Sequence, residues 1–177
     1  EGFNVTWMAY GITGAGKTYT MLGNTMETPQ STYFQKDFVE IKGISVLAMD
    51  YLFAKLNTDW STGKKKFERG AEERFKTGEA KNKVKISYLE IYNEQIRDLL
   101  REDKGVSLII LEDAKKGIIV PGLKELEVHN VSEAISLIDK GNHRRTMAST
   151  HSNEFSSRSH AIIQISIERT QSSASNN

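Results

Sequence analysis

The stretch Gly11-Ile12-Thr13-Gly14-Ala15-Gly16-Lys17-Thr18 (GITGAGKT) satisfies the pattern G-x-x-x-x-G-K-[ST], and each position has a physical reason. Glycines at 11, 14 and 16 let the backbone take conformations closed to other residues and turn its N–H groups toward a chain of phosphates. Lys17 can place a positive charge on the β- and γ-phosphates, and the Thr18 hydroxyl can ligate Mg²⁺. A helix opening here adds the partial positive charge of its N-terminus. The flanking sequence agrees with this reading. Asn4–Tyr10 (NVTWMAY) is short, β-branched and aromatic, which predicts a buried strand, and the run after Gly16 suits a short helix to about Leu22. A nucleotide-binding loop between a strand and a helix is therefore the first expectation.

Working outward, strands and helices alternate. Gly23–Lys42 is polar, carries Pro29 and has no period, so it reads as a long loop. Ile44, Leu47, Ala48, Tyr51, Leu52 and Lys55 fall at helical spacing and predict an amphipathic helix over Ile44–Leu56. Lys83–Tyr92 (KVKISYLEIY) alternates apolar and polar residues and predicts a strand, with Glu94–Leu100 as a short helical turn after it. Val106–Leu111, Gly117–Val120 and Leu123–Val128 are short strand candidates. Ser132 is a candidate N-cap for a helix whose apolar face is Ile135, Leu137 and Ile138 and which extends toward Met147. His160–Ile167 (HAIIQISI) is the last strand, and 170–177 is a polar flexible tail or the start of a loop. This alternation argues for an α/β fold rather than a bundle or a sandwich.

Composition narrows the function classes. The chain has 177 residues, 38% of them hydrophobic and 27% charged, a mix that can bury a core. No apolar run approaches the ~20 residues of a membrane-spanning helix. With no Cys, disulfide scaffolds, thiol nucleophiles and Cys-based zinc sites are excluded, and a reducing compartment is expected. A net charge of +1 offers no case for a nucleic-acid partner. The charge is uneven, however. Between Ser61 and Lys85, nine basic residues (Lys64, Lys65, Lys66, Arg69, Arg74, Lys76, Lys81, Lys83, Lys85) face four acids (Glu68, Glu72, Glu73, Glu79). The basic insertion at 59–85 reads as a solvated, mobile segment or as an arm for an acidic partner.

A second cluster faces the same chemistry. Asn153-Glu154-Phe155-Ser156-Ser157-Arg158-Ser159-His160 gathers hydroxyls, an amide, a guanidinium and an imidazole directly before a strand. Alone it reads equally as a polar turn with local side-chain caps. In the same chain as a phosphate loop it reads as a γ-phosphate sensor.

The runs GFNVTWMAYGITGAGKTYTMLG, SYLEIYNEQIRDLL and NEFSSRSHAIIQ, in this order and spacing, together resemble the kinesin motor domain. Gly141, Arg145, Thr150 and Asn153 also fall at the family's spacing. Within the family, GxTGAGKTYTMLG and GISVLAMDYLF are most similar to the kinesin-8 class. Two residues depart from the family's habit, Ile12 (Gln or Ala elsewhere) and Val46 (Pro in most others). The resemblance implies a phosphate-loop NTPase fold, three-layered with a central mixed sheet and incomplete as given. Residues 1–169 would form part of a motor domain roughly twice this length, with switch I at 150–160. An isolated piece of that kind is expected to be poorly soluble or only partly folded.

The resemblance also implies ATP and Mg²⁺ as cofactors. Gly11, Thr13, Gly14, Ala15, Gly16, Lys17, Thr18 and Tyr19 would hold the nucleotide, and Thr18 and Ser157 the metal. Ser156 would position the lytic water, Asn153 would contact the γ-phosphate, and Arg158 would pair with a glutamate of a segment absent from this sequence. The implied activity is ATP hydrolysis driving movement along microtubules or control of their length, in the cytoplasm on the cytoskeleton. Lys115 and Lys116, in the loop Asp113–Gly122, would meet acidic tubulin or simply be solvated. A homodimer through a stalk outside this chain is the family's expectation. The other readings are a degenerate module that binds nucleotide or microtubules without turnover, a myosin-like motor and a small-molecule kinase. The last needs a Walker B aspartate that is not found, and His160 together with SYLEIYNEQIRDLL decides against myosin.

Overall fold

The central strand β1, Lys81–Tyr92, is rich in Ile, Val and Tyr and has neighbours on both edges. The computed structural model describes residues 3–24, 41–56, 81–103, 106–148 and 159–170. Contacts divide the chain into two units, Glu1–Tyr51 and Leu52–Asn177.

In the second unit β1 pairs antiparallel along its whole length with β6, Ser159–Thr170. Its other edge is shared by β2, Gln95–Asp98, and β5, Leu126–Val128. Two further strands, β3 (Leu111–Asp113) and β4 (Gly117–Ile119), form a separate hairpin. The helix α3, Val131–Ala148, lies against β1 and β5.

Side-chain alternation on β1 explains the core. Val84, Ile86, Tyr88 and Glu90 share one face, where Tyr88 meets α3 at Gly141 and Asn142. On the other face Leu89 packs with Ile96 and Leu108, joined by Ile91, Val120 and Leu123. The alternating sequence predicts one wet face, yet Ile86, Ser87, Tyr88, Leu89 and Glu90 are all buried. Elements cover both sides of the strand.

Two local expectations are corrected here. Glu94–Leu100 is not a helical turn. Asn93 and Glu94, with φ of 48° and 65°, form a two-residue hairpin loop that returns the chain as β2, as left-handed residues in a tight turn require. The cap of α3 is Asn130, not Ser132. Asn130 Oδ1 accepts from the Glu133 N–H at 2.9 Å, and Glu133 reaches back to the His129 N–H at 2.8 Å. This reciprocal arrangement satisfies the Glu133 N–H in the first turn and the His129 N–H just before the cap, and outcompetes a lone Ser two residues on. Of the expected strand Val106–Leu111, only the bridge of Leu108 to Ile96 and the first residue of β3 are paired.

In the first unit α1, Lys17–Leu22, follows the glycine loop; α2, Ile44–Leu56, begins after Gly43 and continues past the unit's last residue, Tyr51. The buried side of α2 is Val46, Met49 and Phe53, whereas Leu47 and Tyr51, assigned to the apolar face from the sequence, are exposed. The helix is apolar nearly all round, so spacing alone could not choose its face. Asn4–Tyr10 forms no strand. Trp7, Met8 and Tyr10 are exposed, and no described strand lends it hydrogen bonds, without which β-propensity has nothing to act on. The ends of α1 and α2 meet closely. Gly23 bridges Lys42, the Asn24 N–H donates to Ile41 O at 2.9 Å, and a β-carbon on Gly23 or Gly43 would overlap the opposing backbone.

Candidate functional site

The phosphate loop depends on two glycines in the left-handed region, Gly14 with φ 83° and Gly16 with φ 81°. Any other L-residue would be strained there by about 1–2 kcal/mol. The loop closes through the Ala15 N–H, which donates to Ile12 O at 3.2 Å, and α1 starts with the Thr20 N–H donating to Gly16 O at 2.8 Å. Gly16 stands at the N-cap and has no side chain with which to cap the helix. The first amides of a helix find no partner within it. Thr13, Gly14, Ala15, Thr18 and Tyr19 are exposed.

Lys17 Nζ donates to both Gly11 O and Ile12 O at 2.8 Å. The ammonium is thereby fixed to the first two residues of the loop. An ammonium, backbone amides and one hydroxyl at Thr18 make up the donor set of a polyphosphate carrying a hard cation. Magnesium in such complexes takes few protein ligands, so a single hydroxyl fits it. Among the described residues no group of three His, Asp or Glu side chains could hold a metal by itself.

The sensor candidates Asn153, Ser156, Ser157 and Arg158 lie outside the described residues, as do most of the basic insertion and residues 171–177. The residues on either side of that sensor segment are described, and they come together. Arg145, on α3, donates from Nε to Glu90 Oε1 at 3.1 Å and from Nη2 to Ser159 Oγ at 2.9 Å. The Ser159 hydroxyl donates to the same Glu90 oxygen. Glu90 is only 1% exposed, and no buried side-chain polar atom among the described residues lacks a partner. Next to this group the Tyr88 hydroxyl donates to Asn142 Oδ1 at 2.6 Å. Burial raises its pKa above the ordinary 10.0, and the charge of Arg145 opposes that shift.

Glu90 was not singled out from the sequence. The available signal was an acid inside SYLEIY at the same parity as Val84, Ile86 and Tyr88, which places a charge on the apolar side of the alternation. The remaining candidates, Lys115 and Lys116, stand at the exposed tip between β3 and β4. Asp113 Oδ1 accepts from both of their backbone N–H groups, at 2.9 and 2.8 Å.

No helix of the described residues is long and apolar enough to cross a membrane. The family model for the kinesin motor domain matches residues 1–177. The chain is 41% identical over its whole length to kinesin-like protein KIN-8A of Arabidopsis thaliana, covering 20% of that protein. It is 38% identical over 171 residues to KIN-8B of the same plant, covering 97% of this chain and 17% of the relative. The chain thus spans about a fifth of the length of these curated relatives. Among solved structures, a fast kinesin described for its ATPase mechanism and interactions with microtubules aligns with TM-score 0.66 and 31% identity. That alignment covers 92% of this chain and 38% of the other. With the glycine loop, the α/β architecture and a match along every residue in agreement, the chain belongs to the kinesin motor-domain family.

Proposed function

We propose that this chain supplies the nucleotide-handling part of an ATP-driven microtubule motor. The observation that carries the reading is the phosphate loop, with left-handed glycines at 14 and 16 and Lys17 drawn onto Gly11 O and Ile12 O. In this reading Gly11, Thr13, Gly14, Ala15, Gly16 and Tyr19 line the nucleotide site, and Lys17 neutralises the β- and γ-phosphates. Thr18 and Ser157 hold Mg²⁺, which when bound offsets charge on the same phosphates. Asn153 contacts the γ-phosphate and Ser156 orients the attacking water.

Little covalent chemistry is asked of the protein. Its contribution is positioning and charge stabilisation around the transferred phosphoryl group. The track partner is tubulin, met in part by the two lysines of the β3–β4 tip, and the location is the microtubule cytoskeleton. The kinesin-8 likeness favours control of microtubule length.

The deciding experiment measures Mg-ATP binding and microtubule-stimulated ATPase in the intact protein, before and after Lys17→Ala. Loss of both is expected, and ordinary ATPase in the variant refutes the loop assignment. Ser157→Ala should depress hydrolysis more than binding; equal loss of the two counts against its role in catalysis.

A further inference from the structure

We infer that Glu90 is a positioning residue for ATP hydrolysis, tying the two ends of the phosphate-sensing segment to one buried carboxyl group; this rests on the motor reading above. Arg145 precedes residues 146–158 and Ser159 follows them, so every candidate sensor residue (Asn153, Ser156, Ser157) lies between these two anchors. Both anchors bond to the same oxygen of Glu90. They also bond to each other, through Arg145 Nη2 and Ser159 Oγ at 2.9 Å. The three side chains form a closed triangle with its apex on β1, the most completely paired strand of the sheet.

Register shows how the triangle closes. Glu90 lies opposite Ala161 and Tyr92 opposite Ser159, so Ser159 is the diagonal neighbour of Glu90 on the same face, within side-chain reach. On α3, Arg145 follows Gly141 and Asn142, which fix the helix against Tyr88, two residues before Glu90. Stability alone does not require an acid at this position, since well-packed apolar residues commonly do as well as a buried ion pair. The triangle does, however, set the separation and direction at which the sensor segment leaves α3 and enters β6. Holding reacting groups in place is most of what a phosphoryl-transfer site contributes, and a misplacement of about 1 Å can cost about 100-fold in rate.

The test compares Ser159→Ala, Glu90→Gln and the double variant in the intact protein, reading kcat and KM for ATP in microtubule-stimulated turnover. Each single variant is expected to lower kcat on the order of 10- to 100-fold while KM stays within about threefold, the pattern of an interaction that acts in the transition state. The double variant is expected to be no slower than the slower single one, because both weaken the same tie, Ser159→Ala by removing its hydroxyl and Glu90→Gln by removing the charge that the hydroxyl and Arg145 bond to. Ser159→Ala leaves the Arg145–Glu90 pair in place, so it decides the matter if Glu90→Gln does not fold. Unchanged kcat in Ser159→Ala overturns the positioning role while the motor reading stands, and so does a rise in KM alone. Absence of Mg-ATP turnover in the unmodified protein overturns the motor reading and this role with it.

Discussion

The ring of Tyr88 occupies the space that a side chain at Gly141 would need. A β-carbon there would overlap Cδ1 and stand 2.6 Å from Cε1 of Tyr88. The ring cannot easily swing away, because its hydroxyl is held by Asn142 one residue further along α3. Gly141→Ala should therefore destabilise the protein, although Ala is the better helix former by about 1 kcal/mol. Overpacking typically costs about 1–3 kcal/mol, so a net loss of up to about 2 kcal/mol is expected in urea unfolding. A more stable variant would show that α3 does not pack this closely.

The β1–β2 hairpin places Glu94 at φ 65°, a conformation that glycine adopts without strain. The strands on either side gain from Arg97, whose guanidinium lies 5.4 Å from the centre of the Tyr92 ring. Glu94→Gly should keep this register and stabilise the fold by about 0.5–1 kcal/mol. The measurement is a shift of the denaturation midpoint at unchanged m-value.

Asp113 is a pH-sensitive fastener of the β3–β4 tip. The backbone N–H groups of Lys115 and Lys116 hold its carboxyl below the ordinary aspartate value of 3.8. A folded-state pKa that is depressed gives stability present above the unfolded value and lost as pH falls through the folded one. Amide-exchange protection of Lys115 and Lys116 should hold above about pH 4 and decline in more acidic solution. Asp113→Asn should flatten that dependence.

Charge reversal at Lys115 and Lys116 together should raise the microtubule concentration needed for half-maximal ATPase stimulation severalfold. The two side chains are exposed, so the effect should shrink as salt rises beyond about 0.15 M, where the Debye length is about 8 Å. An unaltered microtubule dependence would leave the two lysines merely solvated.

Much of this architecture could be read from residue patterns, and the misreadings share a cause. Lys83–Tyr92, His160–Ile167, Ile44–Leu56 and the helix through Arg145 were identified by periodicity because each is long enough for its period to show. Asn4–Tyr10 has strand composition but no described strand to pair with, and pairing is not written in one segment. Glu94–Leu100 turned on the left-handed tolerance of Asn93, a single-residue signal. On α2, apolar residues on several sides left the buried face undetermined. The backbone form of the phosphate loop, with left-handed Gly14 and Gly16 before a helix, was legible because it is set by adjacent residues. Glu90 was not, because its partners are 55 and 69 positions away in the chain, and only strand register and helix placement bring them together.

The close crossing at Gly23 and Gly43 has an engineering consequence. Asn24 and Ile41 are bonded to each other, so the chain that departs at position 24 comes back to nearly its starting point at 41. Extra residues spliced between them would lengthen a circuit that is already closed, and each doubling of such a circuit costs only about 0.6 kcal/mol. A fluorescent or affinity tag could be carried there with little effect on either helix, provided both glycines are kept.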